Sequence, residues 1–409
     1  MGTGVEKSVA VKRESATHRS GRHFLQIPGP TNVPDRVLRA MGRPTIDHRG
    51  SEFAALTGQI IEGLRAVFNG RGTILIYPGS ANGGWEAALV NTLSPGDKVL
   101  MFDQGFFASG WRAVARRFGL EVDFVAGDWR RRIDLDLLES TLSEDGEHAY
   151  KAVMVVHNET STGVTTSIAD VRTAIDSAHH PALLMVDAVS SLGSIEYRHD
   201  EWGVDVTVAG SQKGLMLPPG LCFNAVSKKA LAASQTARLP KSYWDWAAML
   251  PSNETGFFPY TPSINLLFGL RETLFLFHEE GLDRVYARHA RLGEATRRAV
   301  EAWGLENYCS CSEAYSNTVT AVLMPEGADA DELRSAVLKR FDMSLGTGLG
   351  KLKGKVFRIG HLGDLNELML AGTLCGIEMG LVAAGVPHTS GGVLAALDFL
   401  VQTGDGRST

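Results

Sequence analysis

The sequence predicts an α/β fold in which a large domain with a mainly parallel, doubly wound sheet is followed by a smaller C-terminal α/β domain. Short, continuous apolar runs recur between residues 73 and 226, a pattern typical of strands buried on both faces. Segments with helical periodicity separate several of these runs. After residue 263 the pattern changes to two long helices and then a second strand and helix series.

The large domain begins with a helix and then alternates between strands and helices. In SEFAALTGQIIEGLRAVF (51–68), apolar residues from Phe53 to Val67 recur near one helical face. Further helices are predicted at 85–93 and 168–178. The predicted strands are TILIY (73–77), KVLMF (98–102), AVMVV (152–156), ALLMV (182–186), VDVTVAG (204–210) and LCFNAV (221–226). Because helices lie between several strands, most of the sheet should be parallel.

The smaller domain follows two helices. These helices are predicted at 263–280 and 282–302, and they lead to strand 318–324, helix 330–341, strand 355–359 and helix 364–384. Asp364 and Glu367 fit a capping box at the start of the last helix, with Asp364 in the cap role. The predicted organisation is a disordered N-terminal tail (1–20), a large domain that includes an N-terminal segment (21–290) and a small domain (291–409).

Composition excludes several classes of function. The chain has 409 residues, 44% hydrophobic and 21% charged, as globular proteins do, and its net charge of -6 argues against an electrostatic nucleic-acid binder. No apolar run approaches the roughly 18 residues that would span a bilayer, and the N-terminus lacks a secretory signal. The four cysteines fit neither a disulfide framework nor a metal site. We therefore expect a cytoplasmic protein without metal, membrane or nucleic-acid partners.

Polar side chains follow the predicted strands at the points where the strands end. They are the loop PGSANGG (78–84), the run His157 to Thr160, Asp187 and the run Ser211 to Lys213. Because ligands of doubly wound sheets bind beyond the carboxyl ends of the strands, these groups should converge at one edge. The Gly-rich loop opens a helix, so its backbone N–H groups can form an anion site.

These groups together suit pyridoxal phosphate. The loop can hold the phosphate, Lys213 can form a Schiff base, and Asp187 can pair with the pyridinium nitrogen. Taken singly, each has an ordinary alternative: Lys213 as a surface lysine, the loop as a turn and Asp187 as a cap or a surface acid. Their convergence favours the cofactor.

The sequence resembles the class V aminotransferases of the pyridoxal-phosphate fold-type I superfamily. The resemblance runs from about residue 23 to 390 and is specific for fold and cofactor. The matching stretches include IPGPTNVP, IDHRG, SANGGWEAAL, LSPGDKV, VHNETSTGV, HPALLMVDAVSSLGS, GSQKGLMLPPG, FPYTPSINLLFGLRE and GKVFRIGHLGDLNE.

The resemblance implies a role for each matched residue. Lys213 would bind the cofactor covalently and Asp187 would face its pyridine nitrogen. The other implied cofactor contacts are Ser80, Ala81 and Asn82 in the phosphate cradle, Gln212 at the phosphate, Thr160 near the phenolic oxygen and Phe107 stacked on the ring. The cradle departs from the Ser-Gly-Thr-Gly pattern of many relatives, because Ala81 and Asn82 follow Ser80. We expect this departure to cause local adjustment without loss of the cofactor.

The resemblance also implies substrate and subunit contacts. Arg358 would grip the substrate carboxylate, for which its planar guanidinium suits a bidentate bond. Tyr260 and Thr261 match residues that reach the phosphate of the neighbouring subunit, which implies a homodimer with shared active sites. His48 lies in a segment that the family brings near the substrate, and a hydrogen bond from His48 to a serine hydroxyl is our hypothesis.

The implied activity is transamination of glyoxylate to glycine with serine as amino donor. Lys213 would act as the general base that moves the α-proton. Aspartate or alanine as donor stays open at this point. A more distant alternative is a cysteine desulfurase, but Gln212 and not a histidine precedes the lysine, and no cysteine stands in a matching motif. Another is a non-catalytic binding protein, which we would expect to lack Lys213 or Asp187.

Overall fold

The computed structural model describes residues 20–404, so the predicted tail lies outside the described residues except for Ser20. The helices are α1 (Asp35–Met41), α2 (Ser51–Phe68), α3 (Ala81–Thr92), α4 (Phe106–Arg117), α5 (Leu135–Glu144), α6 (Ile168–Ser177), α7 (Lys228–Ser234), α8 (Trp246–Glu254), α9 (Ile264–Glu280), α10 (Leu282–Ala302), α11 (Ala330–Phe341), α12 (Glu367–Ala383) and α13 (Gly392–Thr403). The strands are β1 (Phe24–Gln26), β2 (Thr73–Gly79), β3 (Lys98–Phe102), β4 (Glu121–Val125), β5 (Tyr150–Val156), β6 (Asn158–Glu159), β7 (Val164–Thr165), β8 (Leu183–Asp187), β9 (Val206–Gly210), β10 (Gly220–Val226), β11 (Glu306–Asn307), β12 (Val319–Leu323), β13 (Met343–Thr347) and β14 (Val356–Gly360).

The larger sheet is seven-stranded with the order β2-β10-β9-β8-β5-β3-β4. Strands β9, β8, β5, β3 and β4 run parallel to one another, which confirms the predicted α/β class with a mainly parallel sheet. Strand β10 runs antiparallel to both β2 and β9. The reason is the short connection from Gly210 to Gly220, because a parallel return needs a crossover of a dozen or more residues.

The second sheet is five-stranded with the order β1-β13-β14-β12-β11. It is mostly antiparallel, but β1 pairs in parallel with β13, so Phe24 lies opposite Met343. The N-terminal segment, which the sequence prediction placed with the large domain, therefore adds an edge strand to the second sheet. The chain then crosses to the large sheet immediately beyond it, and this path brings residues 27–31 close to the end of β9.

The hydrophobic cores follow the two sheets. One cluster, from Val37 to Val285, covers one face of the larger sheet, and a second contains alternate residues of the same strands, as expected for strands buried on both sides. A third cluster begins at Leu292 and fills the second sheet and its helices. The domain boundary after residue 290 stays a prediction, and it falls within the continuous helix α10.

The start of α12 differs from its prediction. The helix begins at Glu367, and the Asn366 side chain, not that of Asp364, accepts a hydrogen bond from the Met369 amide at 3.0 Å. Asn366 is suited to this role because its short side-chain oxygen can reach an amide in the first turn. Within residues 20–404, none of the helices combines the length and apolar character needed to cross a bilayer.

Candidate active site

One cavity of about 170 Å³ lies at the carboxyl edge of the larger sheet. Seven of the predicted site residues line it: Ala81, Asn82, Phe107, Thr160, Asp187, Gln212 and Lys213. Gly29, Pro30, Trp85, Val156, Asn158, Val189 and Pro219 complete the lining. The convergence arises because β5, β8 and β9 are adjacent and parallel, so that their carboxyl ends meet.

Lys213 is a buried amine. Its side chain is 8% exposed, and Nζ donates a hydrogen bond to the carbonyl of Pro28. Burial and the neighbouring charge of Arg358 lower the pKa of Lys213 to about 8, although Asp187 opposes this shift. A pKa near 8 leaves part of the amine neutral close to neutral pH, which is the state that a nucleophile or general base requires.

Gly29 allows the N-terminal segment to pass directly over the Lys213 side chain. A Cβ atom on Gly29 would lie 2.6 Å from Nζ and 2.7 Å from Cε of Lys213, and Gly29 has a positive φ of 99°. Thr31 adds two bonds, one from its hydroxyl to the Lys213 carbonyl (3.1 Å) and one from its amide to the Gln212 carbonyl (3.1 Å). The N-terminal segment thus forms a wall of the site.

Asp187 is a buried carboxyl group at the end of β8. Trp85 Nε1 donates to Oδ2 at 2.9 Å, and the Val189 amide donates to Oδ1 at 2.8 Å. Burial raises the pKa of Asp187 to about 7, and the charge of Glu159 adds to the shift while both hydrogen bonds oppose it. A carboxylate buried in this way is stabilised by a cation, such as a protonated pyridine nitrogen, in the cavity that it faces.

The raised pKa of Asp187 predicts a pH dependence of stability in the cofactor-free protein. The folded-state pKa of about 7 exceeds the ordinary value of 3.8, so the folded state holds the proton more tightly. The contribution of Asp187 is fully present below pH 3.8 and is lost as the pH rises through 7. The free energy of unfolding of the wild type relative to Asp187→Asn should therefore fall across this window, by up to about 1.4 kcal/mol per pH unit.

Urea unfolding of the cofactor-free wild type and Asp187→Asn at several pH values measures this difference. His157 opposes the trend in the wild type, because burial lowers its pKa to about 4, but it is present in both proteins and cancels in the difference. A difference that does not change between pH 4 and 7 would contradict the assigned shift.

Glu159 organises the wall that carries Phe107. It is fully buried, and its carboxylate accepts hydrogen bonds from the Phe107 and Ala108 amides and from the Ser161 amide and hydroxyl. The first two amides belong to the N-terminus of α4, where a negative charge is favourable. Glu159 thereby fixes the start of α4, which orients the Phe107 ring at the cavity, and it sits beside Thr160.

Arg358 lies beside the cavity, behind Thr160. It comes from β14 and is 6% exposed. Its Nη1 donates to the Thr160 carbonyl and its Nε to the Thr347 carbonyl, each at 2.8 Å. Burial lowers the pKa of Arg358 to about 10, against the opposing charge of Glu159. The guanidinium therefore stays charged at neutral pH and is held in one orientation, as carboxylate recognition requires.

The cradle has free hydrogen-bonding groups. Helix α3 begins at Ala81, next to the cavity, and the first amides of a helix have no partner within it. The Gln212 side-chain oxygen is buried without a partner. A Cβ atom on Gly210 would lie 2.9 Å from that oxygen and 3.3 Å from Ala81 Cβ, so the amide of Gln212 lies beside the cradle. The first amides of α3 and the NH2 group of the Gln212 side chain can donate to a phosphate, and Lys213 and Asp187 fit the aldehyde and ring nitrogen of pyridoxal phosphate.

Five predicted site residues do not line this cavity: Arg358, which lies beside it behind Thr160, and four others. Ser80 is exposed at the start of α3, and His48 is half-buried on the segment before α2. Tyr260 and Thr261 are exposed near a separate small cleft, where Tyr260 stacks on Tyr243 with ring centroids 4.8 Å apart. The roles of these five residues stay predictions, and the predicted roles of Tyr260 and Thr261 involve a neighbouring subunit.

Sequence reasoning missed two contributors to the site. Trp85 stands in the matching stretch SANGGWEAAL with no predicted role, and Pro28 and Gly29 stand in the stretch IPGPTNVP, for which no contact with the site is predicted. The available signals were weak: a tryptophan four residues after a helix start, and a glycine between two prolines. Both act across long sequence separations, which a pattern of local spacing does not report.

Comparisons with known proteins agree with this geometry. The family model described as Aminotransferase class-V matches residues 23–349. A serine–glyoxylate aminotransferase of Methylorubrum extorquens is 51% identical over 94% of this chain and 98% of its own. An L-aspartate–glyoxylate aminotransferase of Paracoccus denitrificans is 45% identical over 92% of this chain and 96% of its own. The solved structure of a pyridoxamine–pyruvate aminotransferase from Mesorhizobium loti superposes with a TM-score of 0.87 at 28% identity, covering 93% of this chain and 97% of that one.

Proposed function

Because this chain belongs to the class-V aminotransferase family, whose model covers residues 23–349, and is an aminotransferase, we propose that it transfers the amino group of serine to glyoxylate. The products are hydroxypyruvate and glycine, released in two half-reactions of a ping-pong cycle. Two serine–glyoxylate aminotransferases, which are 51% and 49% identical to this chain over nearly its whole length, support this donor and acceptor.

The cofactor is pyridoxal 5′-phosphate. When bound, it supplies a covalent attachment for the substrate amine and an electron sink for the α-carbon. The residues that would hold it are Lys213 at the aldehyde carbon, Asp187 at the ring nitrogen, and the amides of Ala81 and Asn82 with Gln212 at the phosphate. Phe107 and Thr160 would contact the ring from the walls of the same cavity.

Lys213 moves the proton. Because the pKa of Lys213 is about 8, part of the amine is neutral near neutral pH. In this form Nζ can accept the proton from the substrate α-carbon and donate it again on the same side of the cavity. The Pro28 carbonyl accepts a hydrogen bond from Nζ and so fixes its position over the cavity. The segment around Gly29 covers the lysine and excludes water from it.

The carboxylate is held by Arg358 in both halves of the reaction. Serine, hydroxypyruvate, glyoxylate and glycine each carry one α-carboxylate, so a single guanidinium serves all four. Arg358 is already anchored by the Thr160 and Thr347 carbonyls, so little conformational entropy is lost when it binds a substrate.

The observation that carries the choice of donor is the charge of the cavity. Among residues 20–404, Lys213 is the one cationic side chain in its lining, and Arg358 lies just behind it. The second carboxylate of aspartate would therefore find no counter-ion contributed by this part of the chain, and an unpaired buried charge is costly. An uncharged serine side chain avoids this cost.

Initial-rate measurements with glyoxylate as acceptor test the donor. We expect serine to exceed aspartate in kcat/KM by at least about 30-fold, which corresponds to roughly 2 kcal/mol for an unpaired carboxylate. Alanine, which lacks the hydroxyl, should fall between them. A higher kcat/KM with aspartate would overturn the serine assignment and favour the activity named for the relative from Paracoccus denitrificans.

We further propose a homodimer in which Tyr260 and Thr261 contact the phosphate in the partner's site, and in which His48 bonds the serine hydroxyl. Support comes from the exposure of Tyr260 and Thr261 in the single chain and from the absence of all three residues from the lining of its own cavity. All four cysteines are free thiols, which fits the proposed cytoplasmic location and a role in glyoxylate metabolism. Among the described residues no cysteine lines the cavity, which disfavours a desulfurase.

A further inference from the structure

Helix α3 contributes to two ends of the cavity. Its first residues, Ala81 and Asn82, lie at the phosphate cradle, and Trp85 lies one turn further along the same helix. Trp85 Nε1 donates to Asp187 Oδ2, a residue 102 positions away in sequence. One rigid helix therefore sets the separation between the anion site and the carboxylate that faces the ring nitrogen.

Trp85 is itself held firmly. Its side chain is 3% exposed and its ring stacks on Trp111, with centroids 5.9 Å apart and planes 14° from parallel. A Cβ atom on Gly110 would lie 3.6 Å from the Trp85 ring, so α4 packs closely against it. An indole constrained in this way cannot move with the carboxylate if the carboxylate rotates. The hydrogen bond therefore orients Asp187, and Asp187 does not orient Trp85.

We propose that Trp85 is a positioning residue, whose indole N–H orients the Asp187 carboxylate to receive the ring nitrogen of the cofactor. The inference rests on the proposed function, because it assumes that pyridoxal phosphate occupies this cavity. The Val189 amide holds only Oδ1 of Asp187. Without Trp85 the carboxylate can rotate about a single remaining contact, and its bond to the ring nitrogen weakens.

The chain offers a matched control for this hydrogen bond. Trp111 is the other member of the ring stack, is fully buried, and its Nε1 has no hydrogen-bond partner. Trp85→Phe and Trp111→Phe therefore remove an indole from the same stack, but only the first removes a bond to Asp187. Because Trp85 also lines the cavity, a difference between the two variants is assigned to the hydrogen bond only where it disappears once Asp187 is replaced.

The measurement is the dissociation constant of pyridoxal phosphate from each apoprotein, by equilibrium dialysis. Trp85→Phe should weaken binding roughly tenfold, as expected for one hydrogen bond to a charged group, while Trp111→Phe should change it by less than about threefold. In an Asp187→Asn background, Trp85→Phe should have an effect within about twofold, because the acceptor charge is already gone. A purely structural role would leave the effect of Trp85→Phe undiminished there.

Equal weakening by both variants, or an undiminished effect in the Asp187→Asn background, would overturn the proposal. If Trp85→Phe does not fold, 3-benzothienylalanine at position 85 keeps the bicyclic shape with sulfur in place of the N–H, and the same expectations apply to it. Failure of the proposed function is distinguishable, because the wild type would then neither bind pyridoxal phosphate nor exchange amino groups between serine and glyoxylate.

Discussion

Lys213→Ala should lower transamination turnover by roughly 10⁴-fold, because it removes the group that moves the α-proton. The folded state should tolerate the change. The ammonium form of Lys213 is disfavoured by burial, and its one hydrogen-bond acceptor is a backbone carbonyl. The cradle amides and Asp187 remain, so the variant should still bind pyridoxal phosphate, but more weakly.

Single-turnover measurements with serine, followed by the absorbance of the cofactor, separate proton transfer from cofactor binding in this variant. The control is Lys228→Ala, which removes an exposed lysine at the start of α7 and should leave turnover within about twofold of the wild type. Near-normal turnover in Lys213→Ala with bound cofactor would exclude Lys213 as the base.

Arg358→Lys should lower kcat/KM by roughly 100-fold, and by a similar factor for serine and for glyoxylate. The lysine retains the positive charge but has neither the planar fork nor the two anchors, Thr160 and Thr347, that orient the guanidinium. Since both substrates present the same α-carboxylate, the loss should appear in both half-reactions.

Steady-state kinetics with each substrate varied in turn test this prediction. Arg334→Lys is the matched control, because Arg334 lies close enough to influence Arg358 electrostatically, yet donates to Asp331 and the Leu345 carbonyl and not to Thr160. We expect its kinetics to stay within about threefold of the wild type. A loss confined to one substrate would show that Arg358 does not serve both.

Much of the site could be predicted from the positions of polar residues relative to strands. Asp187 ends an apolar run and Lys213 follows another, and parallel strands direct such residues to one edge. The structure brings both to the same cavity, with Thr160 and Phe107. The meeting of Asp187 and Lys213 at one edge is predictable because it depends on strand direction, which buried apolar runs between helices reveal.

The antiparallel direction of β10 and the cap at α12 show what local patterns leave open. An apolar run such as LCFNAV has the same appearance in either direction, so only the short connection before it indicates the reversal. At α12, Asp364 and Asn366 are both good capping residues, and the backbone path into the helix selects Asn366.

The sequence by itself determined the α/β class and the strands that deliver the lysine and the carboxylate, because short-range periodicity and residue chemistry suffice for these. The prediction of Arg358 depends on the family resemblance. Only the tertiary structure decided how these groups are tuned. The Trp85 bond to Asp187, the Lys213 bond to Pro28 and the Arg358 bond to Thr160 join residues 102, 185 and 198 positions apart. Such contacts, and the burial that shifts the pKa values of Lys213 and Asp187, exist only once the two sheets and the N-terminal segment have packed together, since no local spacing specifies which distant groups become neighbours.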